Sequence, residues 1–424
     1  MKRTHRRPAL TVTTGGRGVV AHAGARLLCD LADDLGLTDG LSTAMAPTKR
    51  RQRDHDRGRV LVDLAVALAD AATAISGLAV LAGQPALFGE VASVPTAWRT
   101  LAAVDEAALE RIAAARARAR RRAWAAGTDP RFYVIDIDGT LVTAHSEKED
   151  AAPTYKGGFG FYPLLAYLDR TGEPLAALLR AGNPVDLQTH EVIARTDSAA
   201  CSHEFLGACR ERGVRFVVGH ALSAEIAQVV VKVPGSRWIA AISADGLEER
   251  EGAEVAEVSD LVDLSGWPRG TRTIARREEP HPGAQLTFTD VNGHRYQVFL
   301  TDHPDRDITF LEALYRGRSR CECAIRDTKD TGLANLPSAD RRINAAWIAR
   351  VLMAGDLLAW MKALCLSGEL AQAEPKRLRY SLLHAAGVVV RSARRVVLRV
   401  ALGWPWADEL VAAFARLPRP SLIT

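Results

Sequence analysis

Apolar residues recur with different spacings in successive parts of the chain. Residues 1–128 are rich in Ala and Leu at a spacing near 3.6 residues, after a short extended start at 9–13. This spacing predicts helices, interrupted at Pro85 and Pro95. Residues 130–204 and 212–310 instead contain short β-branched runs between turns, which predict strands. Helical spacing resumes after residue 310, so the chain is predicted to be α/β (α+β), with strands between two helical regions.

Acidic residues stand inside or directly after two predicted strands. Residues 132–142 read Phe-Tyr-Val-Ile-Asp-Ile-Asp-Gly-Thr-Leu-Val, and residues 191–198 end in Asp197-Ser198. Asp136 and Asp138 are two positions apart, so a strand would place both on one face. Taken alone, Asp197 could equally be a helix N-cap.

Four residues with different polar groups follow at helical spacing. They have the pattern Tyr-x2-Arg-x3-Glu-x6-Lys and are Tyr315, Arg318, Glu322 and Lys329. At about 100° per residue, one helix would hold all four within roughly 60°. A core-facing stripe would be apolar. The mixture of a phenol, a guanidinium, a carboxylate and an ammonium therefore favours a site that holds a metal and grips phosphates.

This spacing resembles the signature of the DDE insertion-sequence transposases, in which the Glu is the last of three catalytic acids. Asp138-Gly-Thr140 resembles the Asp-x-Thr of the first acid, and Asp197-Ser198 resembles the context of the second. Other similar stretches are 54–65, 155–164, 330–337 and 347–360. The resemblance extends over nearly the whole chain. It implies an RNase H-like catalytic core interrupted by a β-rich insertion, with helical N-terminal and C-terminal regions.

The family likeness also implies a chemistry for these residues. Asp138, Asp197 and Glu322 would be both the catalytic residues and the ligands of two Mg²⁺ ions, for which Mn²⁺ can substitute. Carboxylate oxygens suit Mg²⁺, and two ions can stabilise the entering and leaving oxygens of a phosphodiester. The expected contacts to DNA phosphates are Tyr315, Arg318 and Lys329, and the expected accessory acid is Asp136. The implied function is cleavage at element ends and transfer of the 3′-OH to target DNA.

The same likeness, read together with composition, divides the chain into five parts. These are a helical DNA-end-binding domain (1–128), the first part of the core (129–204), the β-rich insertion (205–310), the core continuation with the Glu-bearing helix (311–370) and a basic helical tail (371–424). The implied partners are double-stranded DNA, as terminal inverted repeats and target, and a second copy of the chain when bound to DNA.

Charge and cysteine content agree with a bacterial DNA-binding protein. The net charge is +5 and the pI is about 8.9. Basic residues cluster at 49–59, at 116–122 and from 375 to the end, as contacts to a phosphate backbone require. Six scattered cysteines indicate a reducing compartment, and Cys321 and Cys323 are expected to be packing residues because one Cys-x-Cys is poor zinc spacing. The expected location is the cytoplasm, at the nucleoid.

No membrane segment or secretory signal is predicted. The basic start of the chain is followed by no apolar core. The long apolar stretch at 60–87 contains Asp63 and Asp70, so we interpret it as buried helices.

Two other functions remain open from the sequence. Residues 134–142 also resemble the first motif of haloacid-dehalogenase-type phosphatases, in which Asp136 would be the nucleophile and Asp138 the general acid. Their later motifs would have to come from Lys232, Asp302, Asp305 and Asp307. The other alternative is a DNA-binding repressor without catalysis, which would need the basic clusters but no metal.

The link between the first core strands and Asp197 is shorter than the resemblance implies. Related enzymes carry a helix there, whereas only the seven residues 184–190 stand here. Seven extended residues reach about 25 Å, and a crossover to a parallel strand usually needs a dozen residues or more. We therefore hypothesise that this copy carries a deletion, which leaves its activity open.

Overall fold

The computed structural model describes residues 15–48, 55–128, 133–143, 148–149, 151–153, 159–178, 192–243, 248–280, 283, 285, 290–392 and 395–418. The predicted extended start at 9–13 and the short link at 184–190 lie outside these ranges.

The N-terminal region is helical, as predicted, after one short strand. Its elements are β1 (Val19–Val20), α1 (Ala25–Asp34), α2 (Leu37–Met45), α3 (Arg57–Ala69), α4 (Ala79–Ala82), α5 (Pro85–Phe88), α6 (Val94–Ala102) and α7 (Glu106–Ala123). Helix α3 begins where the Asp56 side chain accepts a hydrogen bond from the Arg59 amide. Its residues 60–69 are all buried, which confirms that this part of the apolar stretch is a core helix. In the described part of the chain, no helix is sufficiently long and apolar to span a bilayer.

Strands and two helices follow. They are β2 (Tyr133–Gly139), β3 (Val142–Thr143), β4 (Ala152–Pro153), β5 (Phe159–Phe161), β6 (Leu164–Leu168), β7 (Pro174–Leu178), β8 (Val192–Thr196), α8 (His203–Glu211), β9 (Arg215–His220), α9 (Ala224–Val231), β10 (Ile239–Ile242), β11 (Glu249–Glu257), β12 (Arg272–Glu278), β13 (Asp290–Val291) and β14 (His294–Thr301).

The central sheet has the topology expected for an RNase H-like core. Five of its strands lie in the order β7-β6-β2-β8-β9. Strands β2, β8 and β9 are parallel to one another, whereas β6 pairs antiparallel with both β2 and β7. The parallel pairs place the carboxyl ends of β2 and β8 at the same edge.

The β-rich insertion continues this sheet. Strand β14 pairs with β9 on one side and with β12 on the other, and β11 and β10 follow. The predicted start of the insertion at residue 205 is too early, because β9 pairs in parallel with β8 and so belongs to the core. The sequence does not mark the boundary between the core and the insertion, because both contain similar β-branched runs.

The remainder of the chain supplies the helices over the sheet and a C-terminal hairpin. Its elements are α10 (Ile308–Arg316), α11 (Ser319–Thr328), α12 (Arg341–Trp360), α13 (Gly368–Ala371), α14 (Pro375–Leu378), β15 (Gly387–Ser392), β16 (Arg395–Val400) and α15 (Ala407–Ala415).

The prediction of one continuous helix from Tyr315 to Lys329 is wrong. The helix breaks between α10 and α11 at Gly317 and Arg318. The Arg195 guanidinium donates a hydrogen bond to the carbonyl of Leu314, the group that the Arg318 amide would bond in a regular helix. The Arg318 amide bonds the carbonyl of Tyr315 instead.

The predicted helical tail is also only partly helical. Strands β15 and β16 form an antiparallel hairpin, and β15 pairs with β1 from the start of the chain. The hairpin contains the β-branched runs 388–390 and 396–397, which favour strands over helices. The arginines among these valines favour the interpretation as a basic helix. Alternation of apolar and polar residues over so few positions indicates a strand only weakly.

Candidate active site

Two of the predicted acids lie side by side at the carboxyl ends of neighbouring strands. Asp136 of β2 is opposite Arg195 of β8 in the parallel register. Two positions further on, the same register sets Asp138 beside Asp197, which directly follows β8. Neighbouring strands are about 4.8 Å apart. The two carboxylates therefore share one face and one edge of the sheet.

Arg318 links Asp138 to Glu322. Its Nη1 lies 3.3 Å from Oδ2 of Asp138, and its Nη2 lies 3.2 Å from Oε1 of Glu322. Glu322 is on the first turn of α11, with 65% of its side chain exposed, while the Asp138 side chain is only 16% exposed. The oxygens of the three acids do not all lie within 4.8 Å of one another. The guanidinium thus occupies a position between acids that a metal cation could take.

The pKa of Asp138 depends on its burial and on its charged neighbours. Burial is the main cause that raises this pKa above its usual value. Arg318 lowers it, whereas the Asp197 and Glu322 carboxylates raise it. Asp138 therefore lies within the field of both other acids and of the guanidinium.

Asp197 also caps a short turn. Its Oδ1 accepts a hydrogen bond from the Ala199 amide at 3.0 Å, so the N-cap interpretation describes a real contact. The turn spans Ser198–Ala200. A capping contact to one oxygen leaves the other oxygen as an acceptor, so the cap is compatible with metal binding.

Tyr315 is fixed beside the acids by packing. Its ring stacks on Phe299 with centroids 4.7 Å apart, and burial raises the pKa of its hydroxyl. The hydroxyl lies against Gly219 of β9, where an added Cβ would be 2.7 Å from it and 2.9 Å from the Ser198 amide nitrogen. Gly219 therefore allows the Tyr315 hydroxyl and the turn after Asp197 to approach β9 together.

Lys329 is further away. It is the C-cap residue of α11, seven residues beyond Glu322, or about 10 Å along the helix axis. Of the four residues with helical spacing, the structure thus brings Tyr315, Arg318 and Glu322 to the acid cluster and leaves Lys329 at the far end of α11.

Asp136 belongs to a buried ion-pair network that sequence reasoning missed. Arg195 is fully buried and donates to both carboxylate oxygens of Asp136, at 2.6 and 2.7 Å. It also lies 3.0 Å from Asp169, which accepts two hydrogen bonds from Arg320. Burial raises the pKa of Asp136 to about 6, against the opposing effect of Arg195. This network anchors β2, β8 and α11 to one another beneath the acids.

Residues required by the phosphatase alternative are engaged in other contacts. Both oxygens of Asp136 are engaged by Arg195, so no free carboxylate is available as a nucleophile. Asp302 bonds Arg210 and the Phe216 amide. Asp307 caps α10, and Lys232 ends α9.

One predicted basic cluster is partly structural. Arg116 and Arg120 of α7 are buried and both hydrogen-bond to the fully buried Asp356 of α12. Arg120 also lies 3.7 Å from the buried Glu173. Arg116 and Arg120 are therefore not available to a phosphate backbone, because α7 buries one face against the core.

The cysteines at the site are not paired as a zinc motif. Cys321 is buried and Cys323 is exposed, so these two positions of α11 place their thiols in different surroundings. Burial raises the pKa of Cys321 far above its usual value. The packing interpretation is confirmed for Cys321 and does not describe Cys323.

Sequence comparison identifies the family. The family model for the transposase DDE domain, group 1, matches residues 2–186 and 185–422. The chain belongs to the DDE transposases. A solved piggyBac transposase, in a synaptic complex with hairpin DNA, aligns over 88% of this chain and 83% of its own, at 8% identity and a TM-score of 0.39. No curated protein matches the chain.

Proposed function

We propose that this DDE transposase cuts phosphodiester bonds at the ends of its element and transfers the resulting 3′-OH to target DNA. The observation that carries the proposal is the convergence of Asp138 and Asp197 at one sheet edge, with Glu322 joined to Asp138 through Arg318. The catalytic residues in this proposal are Asp138, Asp197 and Glu322.

The acid cluster fits divalent cations. Its donors are carboxylate oxygens, which Mg²⁺ and Mn²⁺ prefer. The pKa of Asp138 is raised partly by the two other carboxylates, so added positive charge would be favourable there. Two bound ions would supply an activated water and neutralise charge on the entering and leaving oxygens. The ligands would be Asp138, Asp197 and Glu322, once Arg318 has turned away from them.

Arg318 and Tyr315 would position the DNA strand. A guanidinium released from two carboxylates can grip a phosphate through two parallel hydrogen bonds. Tyr315 can donate its hydroxyl proton to a backbone oxygen, because a phenol is protonated at neutral pH and burial raises its pKa further. Lys329 lies too far along α11 to reach the same phosphate, so we place its contact on a neighbouring nucleotide. Asp136 acts as an accessory acid, by holding Arg195 below the cluster.

The remaining parts of the chain suggest how DNA is held. We assign the helical region 1–128 to the terminal inverted repeats, and propose that two copies assemble on paired ends. The tail contributes the exposed arginines of the hairpin β15–β16. The expected site of action is the bacterial cytoplasm, at the nucleoid.

Strand cleavage tests the proposed function directly. The substrate is a linear DNA that carries the inverted repeats flanking the gene, incubated with Mg²⁺ or Mn²⁺. We expect a 3′-OH at the element end with the unaltered chain and none with Glu322→Gln. Cleavage that survives Glu322→Gln would refute the catalytic assignment. If the chain binds DNA but neither cleaves it nor binds a metal ion, the repressor alternative would be supported.

A second proposal concerns the copy itself: its sequence between β7 and β8 carries a deletion relative to the family. The two matches to the family model meet at residues 185 and 186, inside the short link. A loss of family sequence at that point would split the match in this way. The sheet face opposite the acids carries Ile135 and Ile137 of the central strand, both only partly buried, and Leu164, which is 38% exposed. Among the described helices, α8 covers the neighbouring part of this face, over Ala194 and Phe216.

This loss would affect stability before it affects chemistry. Asp138 and Asp197 project from the other face, where α10 packs against the sheet and α11 carries Glu322. We therefore expect a copy with its acids in place and a weakened sheet. The proposal is supported if the chain cleaves DNA at 20 °C but loses this activity at a higher temperature that is still well below the unfolding temperature of an undeleted relative. Full activity at 20 °C and at that higher temperature would refute it.

A further inference from the structure

A second cluster of potential metal ligands lies outside the acid site. His22, Asp70 and His384 each offer one ligand atom, and these atoms all lie within 4.8 Å of one another. In the part of the chain that the structure describes, no other three His, Cys, Asp or Glu residues meet this distance. None of the three belongs to the proposed catalytic machinery.

The cluster joins three distant parts of the chain. His22 follows β1, Asp70 is the C-cap of α3, and His384 ends the turn before β15. The amide of Ala23 donates to the carbonyl of Ala385, which holds the first and last segments together. A ligand at this point would therefore connect the N-terminal strand, a core helix and the C-terminal hairpin.

The contacts within the cluster leave polar atoms without partners. Nδ1 of His22 lies 2.6 Å from Oδ2 of Asp70, and Nε2 of His384 lies 3.2 Å from Oδ1. The Asp70 side chain is only 3% exposed. Nδ1 of His22 and Oδ1 of Asp70 are both buried and have no hydrogen-bond partner of acceptable geometry. A buried carboxylate so close to two imidazole nitrogens requires a proton or a metal cation between them.

The nearby guanidinium of Arg379 is not the cation that the Asp70 carboxylate requires. Arg379 donates to the carbonyls of Ala69, Leu68 and Asp330, so its guanidinium is committed to the backbone. The His22 and His384 side chains are 24% and 38% exposed, so an ion and a water can reach the cluster from solvent.

We propose that His22, Asp70 and His384 bind one transition-metal cation of the Zn²⁺ class. Two imidazoles and one carboxylate are a common protein ligand set for Zn²⁺, with water as the fourth ligand. Ligand atoms around a tetrahedral Zn²⁺ are about 3.3 Å apart for bonds near 2.0 Å. The His22–Asp70 contact of 2.6 Å would open slightly, and His384 would exchange its hydrogen bond to the Asp70 carbonyl for the metal. The ion would fasten the N-terminal strand and the C-terminal hairpin to α3.

Binding of Zn²⁺ or Co²⁺ to the full-length chain tests this site. After treatment with a chelator, the protein is titrated with Co²⁺, whose visible absorption reports tetrahedral nitrogen and oxygen ligands, and with Zn²⁺ by calorimetry. We expect one site in the unaltered chain when excess Mg²⁺ occupies the acid cluster. In His384→Gln and in His22→Asn, which tolerates the positive φ of 56° at that position, we expect Zn²⁺ affinity to fall at least about 10-fold.

Two controls separate this site from the acid cluster. Asp138→Ala and Glu322→Gln should retain the Co²⁺ spectrum, and excess Mg²⁺ should not displace the ion because imidazole suits Zn²⁺ better. Zn²⁺ should also raise the unfolding temperature of the unaltered chain and not that of His384→Gln. Equal Zn²⁺ affinity in the unaltered chain and both histidine variants would overturn the proposal, as would a spectrum lost only with Asp138→Ala.

Discussion

At the level of single residues, Arg318 lies between Asp138 and Glu322, where it offsets part of their charge and occupies a position that a metal cation could take. With Arg318→Gln we expect tighter Mn²⁺ binding at neutral pH, since a competing cation is removed. Strand cleavage should nevertheless fall about 100-fold, the usual loss when a phosphate-binding or charge-stabilising group is removed.

Calorimetry and a cleavage assay measure the two effects of Arg318→Gln. The matched control is Arg326→Gln, an exposed arginine two turns further along the same helix. The control should change neither quantity. Weaker Mn²⁺ binding in Arg318→Gln would show that the guanidinium helps to build the cation site rather than competing for it.

A second residue-level prediction concerns pH. The pKa of Asp138 is raised in the folded protein, mainly by burial. The folded state therefore binds this proton more tightly than the unfolded state, and the group loses stabilising effect as pH rises through its folded pKa. We expect Asp138→Asn to unfold at a higher temperature than the unaltered chain at pH 7 without metal, and this advantage to shrink as the pH approaches 4.

Thermal unfolding across pH checks the prediction for Asp138, with Mn²⁺ withheld by a chelator. The same variant should no longer gain stability when Mn²⁺ is added. A lower unfolding temperature for Asp138→Asn at pH 7 would mean that the ionised carboxylate stabilises the fold, contrary to a pKa that burial raises.

At the level of residues, the sequence predicts those site residues that stand in a recognisable motif. Asp138, Asp197 and Glu322 stand in patterns that distinguish them from other acids, and the structure places them near one another. Arg195 could not be found in this way, because its partner Asp136 is 59 residues away and an arginine inside a strand carries no signal of its own. The same holds for Arg320 and Asp169, which are 151 residues apart.

At the level of elements, the approach of α10 to β9 depends on Gly219. An added Cβ would meet the Tyr315 hydroxyl and the Ser198 amide at less than 3 Å, on two sides at once. We expect Gly219→Ala to reduce the free energy of unfolding by about 1–3 kcal/mol, as overpacking usually does. It should also lower strand cleavage, because Tyr315 and the turn after Asp197 must both shift.

Gly207→Ala is the control for Gly219→Ala. Gly207 lies in α8, where an added Cβ meets nothing within 4 Å. This substitution should increase stability by about 0.5–1 kcal/mol through helix propensity. Urea unfolding of both variants measures the difference, and an unchanged Gly219→Ala would show that the packing of Tyr315 is loose.

The C-terminal hairpin supplies an element-level prediction for DNA binding. Arg395 and Arg399 of β16 are exposed and share one face because they are four strand positions apart. Removing both, as Arg395→Gln with Arg399→Gln, should weaken binding to element-end DNA. The slope of log affinity against log salt should fall by about 0.9 for each phosphate that the variant no longer neutralises.

Fluorescence anisotropy at several salt concentrations measures this slope. Arg212→Gln is the control, because Arg212 is exposed at the end of α8, on the sheet face opposite the acids. A double hairpin variant with the slope of the unaltered chain would exclude the hairpin from the DNA interface.

The sequence predicts a helix or strand well where the spacing of apolar residues determines it, and less well where tertiary contacts determine it. The helices of 1–128 and the strands β2 and β8 follow from their own residues. The break before α11 depends on a guanidinium from β8, and the hairpin of the tail depends on pairing with β1. Neither contact is visible in local sequence.

At the level of the whole molecule, this DDE transposase combines an acid cluster with a sheet whose opposite face carries, among the described residues, the partly buried Ile135 and Ile137. The sequence itself predicts a deletion near residues 184–190, because a crossover usually needs more residues than this link contains. The RNase H-like strand order followed from the family resemblance rather than from periodicity. How far the acids converge could not be predicted, since it depends on Arg195, Arg318 and the packing of α10 and α11 together.

The central claim is that Asp138, Asp197 and Glu322 act as one cation site, and Mn²⁺ calorimetry tests it most directly. The titrations use the His384→Gln background, so that the histidine cluster contributes no heat. We expect Mn²⁺ to bind to this background and binding to be abolished in each of Asp138→Ala, Asp197→Ala and Glu322→Gln. Binding of Mn²⁺ with the same affinity in all four proteins would contradict the claim.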